Sequence, residues 1–258
     1  MLRSRVTISA LAYDVAWEAG RLPDKHRALL TPSPGTTYEE RAELERRALA
    51  ELSSLGLARG EEIHPDLLAA LSLVASAHHE FYGWFHAGES DTMSAVVAVS
   101  GEDAVRAVLL RDQLALEPVR AIGAADAFVA VLPPATPGHG SAISLPADEV
   151  SGQQTGDGYQ GGGAVMVSAG TTANASATQL RRLLDQPRTG GGQLYVASRD
   201  HLGRKRRAPA PLTYFDTAGG RYLAVQRPGP DGRTWVTVTP ADAKAIAERL
   251  RESLATAR

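Results

Sequence analysis

Near residue 80 the spacing of apolar residues changes, and this limits the chain to folds that combine helices with an antiparallel sheet. Before that point apolar side chains recur every three or four residues; after it they recur every two, in short runs separated by turn residues. In the helical part, a short extended "VTIS" leads to Ser9, which can cap a helix over 10–19 with Leu11, Val15 and Trp17 inward and Gly20 at its end. Thr37 and Glu40 have capping-box spacing ahead of a helix whose stripe is Leu44, Ala48, Leu52 and Leu55, stopped by Gly56. Glu43 and Arg47 stand one turn apart on its charged face. "HPDLLAALSLVASAHH" predicts a third helix, with Pro65 in its first turn and Leu67, Leu68, Leu71, Val74 and Ala75 buried.

The alternating part reads as strands in "EFYGWFH", "SAVVAVS", "AVRAVLL", "LALEPVRAI" and "AFVAVLP". Residues 146–175, with "SGQQTGDGYQGGG" and "SAGTTANASA", are too poor in large apolar residues to bury a core and read as a mobile linker. Beyond it come a helix in "ATQLRRLLDQ", strands in "GQLYVAS", "APLTYFDT", "RYLAVQR" and "RTWVTVT", and a last helix from Pro240 capped by Thr239. Its stripe is Ala243, Ile246, Ala247, Leu250 and Leu254. The segments beginning at Val96 and Gln193 share a pattern of strand, polar break, strand, turn and strand, with Phe128–Val131 matched to Tyr222–Val225. Two pseudo-repeat halves, about 1–145 and 176–258, predict a single quasi-twofold α+β domain with a central antiparallel sheet flanked by helical bundles. With 258 residues, 43% of them hydrophobic, the chain can bury such a core.

A formal net charge of −2 gives no global attraction to nucleic acid or an anionic membrane, so a basic function must be local. The one dense basic run is Arg204–Arg207; it reads as a hairpin tip in preference to a nucleic-acid grip. The chain has no cysteine, which excludes disulfides, thiolate nucleophiles and cysteine-ligated metals and fits a reducing cytoplasm. Neither a signal peptide nor a membrane span is read at the amino-terminal end. His78, His79 and Glu80 could suggest a metal or acid–base site, but adjacent helical histidines point about 100° apart, so a helix-end pair is the simpler reading. Asp200 and His201 form a weak candidate for a base and its orienting partner, without a G-x-S-x-G nucleophile. "GYQGGGA" and "RTGGGQL" lack the lysine of a phosphate loop and read as connectors. "DTAGGRY" reads as a tight turn whose glycines supply positive φ. Tyr82, Trp84 and Phe85 share one short strand, and one of its aromatic faces is left for a partner. No catalytic set, cofactor site or metal site emerges, and a binding protein is expected.

The stretches "HRALLTPSPGTTYEERAELERRALAELSSLGLARG", "HPDLLAALSLVA", "AVVAVSGEDAVRAVLL" through "VAVLPP", and "GGGQLYVASRDHLGRKRRAPAPLTYFDTAGGRYLAVQRPGPDGRTWVTVTPAD" together resemble the EspG family, chaperones of actinobacterial type VII (ESX) secretion. The progression "YFDT", "GRY", "W" is the most specific part. The resemblance implies a quasi-twofold fold with a central antiparallel sheet, a cytoplasmic location, a monomer or homodimer, and a non-enzymatic role. It also implies a partner: a helical secretion substrate, either a PE/PPE-like heterodimer or an equivalent, whose apolar tip the chaperone covers. Neither nucleic acid nor membrane insertion is expected. The long linker departs from the family pattern. Family cargo contacts correspond here to residues 86–92 and the neighbourhood of two later aromatics, which gives His86, Glu89, Asp91, Thr92, Phe215 and Trp235 as candidate partner-binding residues.

Overall fold

A computed structural model describes residues 1–87, 92–147, 174–229 and 231–257. Strand β1 (Val6–Ser9) leads into α1 (Ala10–Ala19), a 3-10 turn (Arg27–Leu29), α2 (Tyr38–Ser54), the small hairpin β2 (Ala58–Arg59) and β3 (Glu62–Ile63), and α3 (Pro65–Ser76). A meander follows: β4 (His79–Ala87), β5 (Met93–Ser100), β6 (Asp103–Leu110) and β7 (Gln113–Arg120), closed by α4 (Ala124–Val129). The rest comprises β8 (Ile143–Pro146), α5 (Asn174–Leu184), β9 (Arg188–Arg199), β10 (Lys205–Arg207), β11 (Leu212–Thr217), β12 (Gly220–Pro228), β13 (Thr234–Pro240) and α6 (Ala243–Thr256).

Among the described residues one sheet runs β1-β7-β6-β5-β4-β9-β11-β12-β13-β8, with β10 attached to β9. β4 and β9 pair antiparallel at its centre, from His79 opposite Ser198 to Ala87 opposite Gly190. Outward from that pair each side is a meander that ends on the strand preceding it in the chain, β1 on one side and β8 on the other. The α+β architecture with a central antiparallel sheet is therefore as expected from sequence, but the strands correspond differently. β8, at the end of the segment assigned to the first half, pairs with β13. Most of the segment read as a linker, residues 148–173, lies outside the described residues, as does "GYQGGGA".

Strand alternation puts different helices on the two faces. On the first face, α1, α2 and α3 pack over Tyr82, Val96, Val105 and Leu116, and α5 packs over Phe215, Tyr222 and Val238. On the second, α4 and α6 cover Phe81, Phe85, Val97, Leu194 and Tyr214. The helix α4 replaces the strand expected over "AFVAVLP". Ala124, Ala125, Phe128, Val129 and Leu132 are all buried, a helical spacing that becomes visible once alanine is counted as core.

Most helix termini follow their sequence signals. Ser9 accepts from the Ala12 N–H, and Thr37 with Glu40 completes a capping box. Leu55, assigned to the buried stripe of α2, is 49% exposed, and Glu43 pairs with Arg46 instead of Arg47. The last helix starts later than expected: β13 continues through Pro240, opposite Tyr222, and Asp242, not Thr239, accepts from the Ala245 N–H. "RTGGGQL" is no connector, because Arg188–Gly192 is the first half of β9. In the "DTAGGRY" turn, Gly220 has φ +109, which an L side chain rarely adopts.

Two buried carboxylates tie distant segments to this frame. Asp14 is bound by Lys25, by Ser33 Oγ at 2.8 Å and by Arg41 Nη1 at 2.8 Å, pinning the loop after α1 and the start of α2. Glu80 is paired with His26 Nε2 at 3.0 Å and with Lys205. His26 Nδ1 accepts from the Ala28 N–H, so its proton is on Nε2 and is donated to Glu80. Burial alone would raise both carboxyl pKa values. Hydrogen bonds from Lys25, Ser33 and Arg41 outweigh it at Asp14, and the hydrogen bond from His26 with the charge and hydrogen bond of Lys205 outweigh it at Glu80, so both are held below their ordinary values. A depressed folded pKa gives stability that is complete above the unfolded value and lost as pH falls through the folded one. Melting temperature should therefore be insensitive to these groups above about pH 5 and fall as pH drops through 4.5 and 3.8, their ordinary values. A pH series of thermal melts, with Glu80→Gln flattening the acid limb, checks this.

Candidate functional site

Between the helical layer of α1–α3 and that of α5, the middle of the first face is left uncovered. The result is a groove of about 510 Å³ across β4, β9 and β11, lined by Arg27, Trp84, His86, Arg188, Tyr195 and Phe215 among others. Trp84 and His86 alternate with the buried Phe85, so their side chains lie on the first face while Phe85 faces the α4–α6 core. Trp84 meets Tyr195 edge-on at 5.8 Å, and Tyr195 stacks on Tyr82 at 5.2 Å. Phe215 stacks on Tyr222 at 5.5 Å on the α5 side. The Arg27 guanidinium stands 5.1 Å from the Trp84 ring centre, and that of Arg188 stands 3.9 Å from the centre of Phe215.

The glycines of β9 shape the floor. A Cβ on Gly192 would meet the Trp84 carbonyl oxygen at 2.6 Å and Phe85 Cβ at 2.7 Å, so the central strands approach as closely as they do only because this position is glycine. Gly191, between His86 on β4 and Phe215 on β11, leaves the groove without a side chain at its centre.

Of the six residues anticipated from sequence, His86, Thr92 and Phe215 line this groove. Glu89 and Asp91 lie outside the described residues. Trp235 is not with them. On β13 it pairs with Arg227 of β12, Val236 and Val238 of the same strand face α5, and alternation therefore turns it to the opposite face, where its Nε1 donates to Asp231 at 3.1 Å. Arg27, Arg188, Tyr195 and the β9 glycines were missed. In sequence the strand containing Trp84 presents an aromatic face to a partner, and a glycine run inside a strand is the signal that extends that reading to β9.

The basic run is partly neutralised within the molecule. Arg204 Nε lies 2.9 Å and Arg206 Nε 3.5 Å from Asp200 Oδ2, and Lys205 reaches the buried Glu80. Lys205–Arg207 form β10 beside the end of β9, so the run belongs to a hairpin. Asp200 also accepts from the Leu202 and Arg204 backbone N–H groups at 2.9 and 3.0 Å, shaping the turn that exposes His201. Replacing Arg204 and Arg206 by serine should leave stability within about 0.5 kcal/mol, whereas Lys205→Ala should cost about 1–2 kcal/mol. The second figure is below that for a fully buried pair because Lys205 is 37% exposed and His26 still serves Glu80. Urea midpoints of the variants separate the two.

His78 and His79 do not end a helix. Ala77 is extended, with ψ 139, and His79 opens β4 while the His78 N–H bonds to the Val99 carbonyl at 2.8 Å. Glu80 turns away from both into its pairs with His26 and Lys205. Among the described residues no three His, Asp or Glu side chains are grouped to hold a metal ion, and no helix is long and apolar enough to cross a membrane.

No curated protein sequence matches the chain. Among solved structures, the fold is similar to the type VII secretion system chaperone EspG5 of Mycobacterium tuberculosis, determined in complex with a PE25–PPE41 dimer. The TM-score is 0.70 at 14% identity, over 99% of this chain and 97% of that one. The family model for EspG proteins matches residues 9–252, nearly the whole chain, and the chain belongs to the EspG family.

Proposed function

We propose that this chain is a type VII secretion chaperone that works in the cytoplasm and without catalysis. It binds a helical secretion substrate, PE/PPE-like or equivalent, and keeps that substrate's apolar tip from self-association. The observation that carries this reading is the EspG family match over residues 9–252. An exposed groove rich in aromatic side chains on the first face of the sheet supports it. Its cargo seat is the groove, with His86, Thr92 and Phe215 among the contacts. Trp235, on the other face, takes no part in it. Burying an apolar tip in a preformed groove needs no nucleotide, only a contact large enough to hold reversibly.

The test is co-expression with helical secretion heterodimers from the same organism, measuring the fraction of each that stays in the supernatant with and without the chain. A several-fold rise for at least one heterodimer is expected. No change for any of them would remove the reading.

A further inference from the structure

The lining of the groove specifies the chemistry of its occupant, an inference that rests on the chaperone reading above. Arg27 and Arg188 stand at the groove over Trp84 and Phe215, and neither has an ion-pair partner among the described residues. No described lining residue is Asp or Glu, in a chain whose net charge is −2. A guanidinium seated on a ring keeps its in-plane N–H donors available, and their best acceptor is a carboxylate. Arg188 is exposed as a residue, yet desolvation lowers the pKa of its guanidinium; an arginine nonetheless remains charged. Between the two arginines no side chain rises from the floor: Gly191, buried as a residue, lines the groove, and a Cβ there would come within 3.2 Å of the Tyr214 carbonyl oxygen, with the nearest atoms of Phe215 at 3.7 and 3.8 Å.

We propose that the groove takes one bulky apolar side chain from the tip of a helical partner directly over Gly191, and that carboxylates flanking that side chain pair with Arg27 and Arg188. Gly191 is then a specificity position, since any side chain there occupies the space the partner needs. The two arginines select an acidic apolar tip over a neutral or basic one.

The test uses the full chain co-expressed with the helical heterodimer that it retains, and three variants: Gly191→Val, the double charge reversal Arg27→Glu with Arg188→Glu, and Arg59→Glu on the exposed β2–β3 hairpin as a control. Affinity should fall at least tenfold for the first two and stay within twofold for the control. Changing the acidic residues beside the partner's apolar tip to lysine should restore binding to the double reversal. Should Gly191→Val fail to fold, the charge exchange decides, since both arginines are exposed and Tm reports whether that variant is intact. Loss with Gly191→Val but not with charge reversal would mean a neutral tip and would overturn the proposal, as would indifference to both variants while the complex still forms; the chaperone reading survives either result. Absence of a complex with the unaltered chain and every heterodimer removes the chaperone reading itself, and this inference with it.

Discussion

Asp216→Ala should lower the unfolding free energy by about 3–5 kcal/mol, the range for stranding a buried charge. Asp216 and Arg221 face each other across the β11–β12 hairpin, one on each side of the Gly220 turn. The arginine donates from Nε to Oδ1 and from Nη2 to Oδ2, both at 2.7 Å, and Nη2 also reaches the Pro133 carbonyl at 2.7 Å. Its guanidinium lies 4.6 Å from the Tyr214 ring centre, and the residue is 3% exposed. Removing the carboxylate leaves that guanidinium desolvated with one carbonyl partner. Asp216→Asn should cost less, and an Asp216→Leu, Arg221→Met double variant should recover much of the loss because no charge is then buried unpaired. Urea unfolding of the four proteins measures this. A loss below 1 kcal/mol for Asp216→Ala would mean the guanidinium finds water, which its burial does not allow.

Neighbouring glycines on β9 should behave differently. Gly192→Ala places a methyl 2.6 Å from the Trp84 carbonyl oxygen and 2.9 Å from the Tyr214 ring, against atoms that belong to the centre of the sheet. Overpacking there should cost about 3 kcal/mol, the upper part of the usual range, because one of the obstacles is backbone. Gly191→Ala meets the Tyr214 carbonyl oxygen at 3.2 Å and otherwise only atoms beyond 3.6 Å, so its cost should stay below about 1 kcal/mol. Paired thermal melts decide it. Equal losses would show that the central strands part as easily at one position as at the other.

Much of this fold is legible in local sequence because local physics sets it. The capping box of Thr37 and Glu40, Pro65 in the first turn of α3 and the alternation in β4–β7 need no knowledge of the rest of the chain. What failed depends on neighbours distant in sequence. Phe128–Val131 is a short continuous apolar run that suits a strand or a buried helix alike, and only its burial against the second face selects a helix. The glycines at 190–192 look like a connector until β4 and β11 are laid beside them. Glu80 reads as part of a histidine cluster and nothing local marks Asp14 as buried, because their partners Arg41, His26 and Lys205 come from elsewhere in the chain. Of the candidate site, Phe215 and Trp235 looked alike in sequence. Which face each occupies is fixed by strand register, and register places them on opposite sides of the sheet. The "YFDT", "GRY" progression is now explained as the buried Asp216–Arg221 pair around a glycine turn, a structural device on the face of the sheet opposite the groove.

The central claim is that the first face of the sheet holds a helical partner through an apolar contact. Light scattering on the co-expressed, co-purified proteins in 1 M NaCl tests it most directly, since salt at that level screens surface charge and leaves apolar burial intact. The account predicts a monodisperse species with the mass of one chain plus one heterodimer, lost when Gly191→Val fills the groove. A chain that elutes alone at high salt beside every heterodimer from its own organism, or a complex that forms as well with the groove filled, would contradict it.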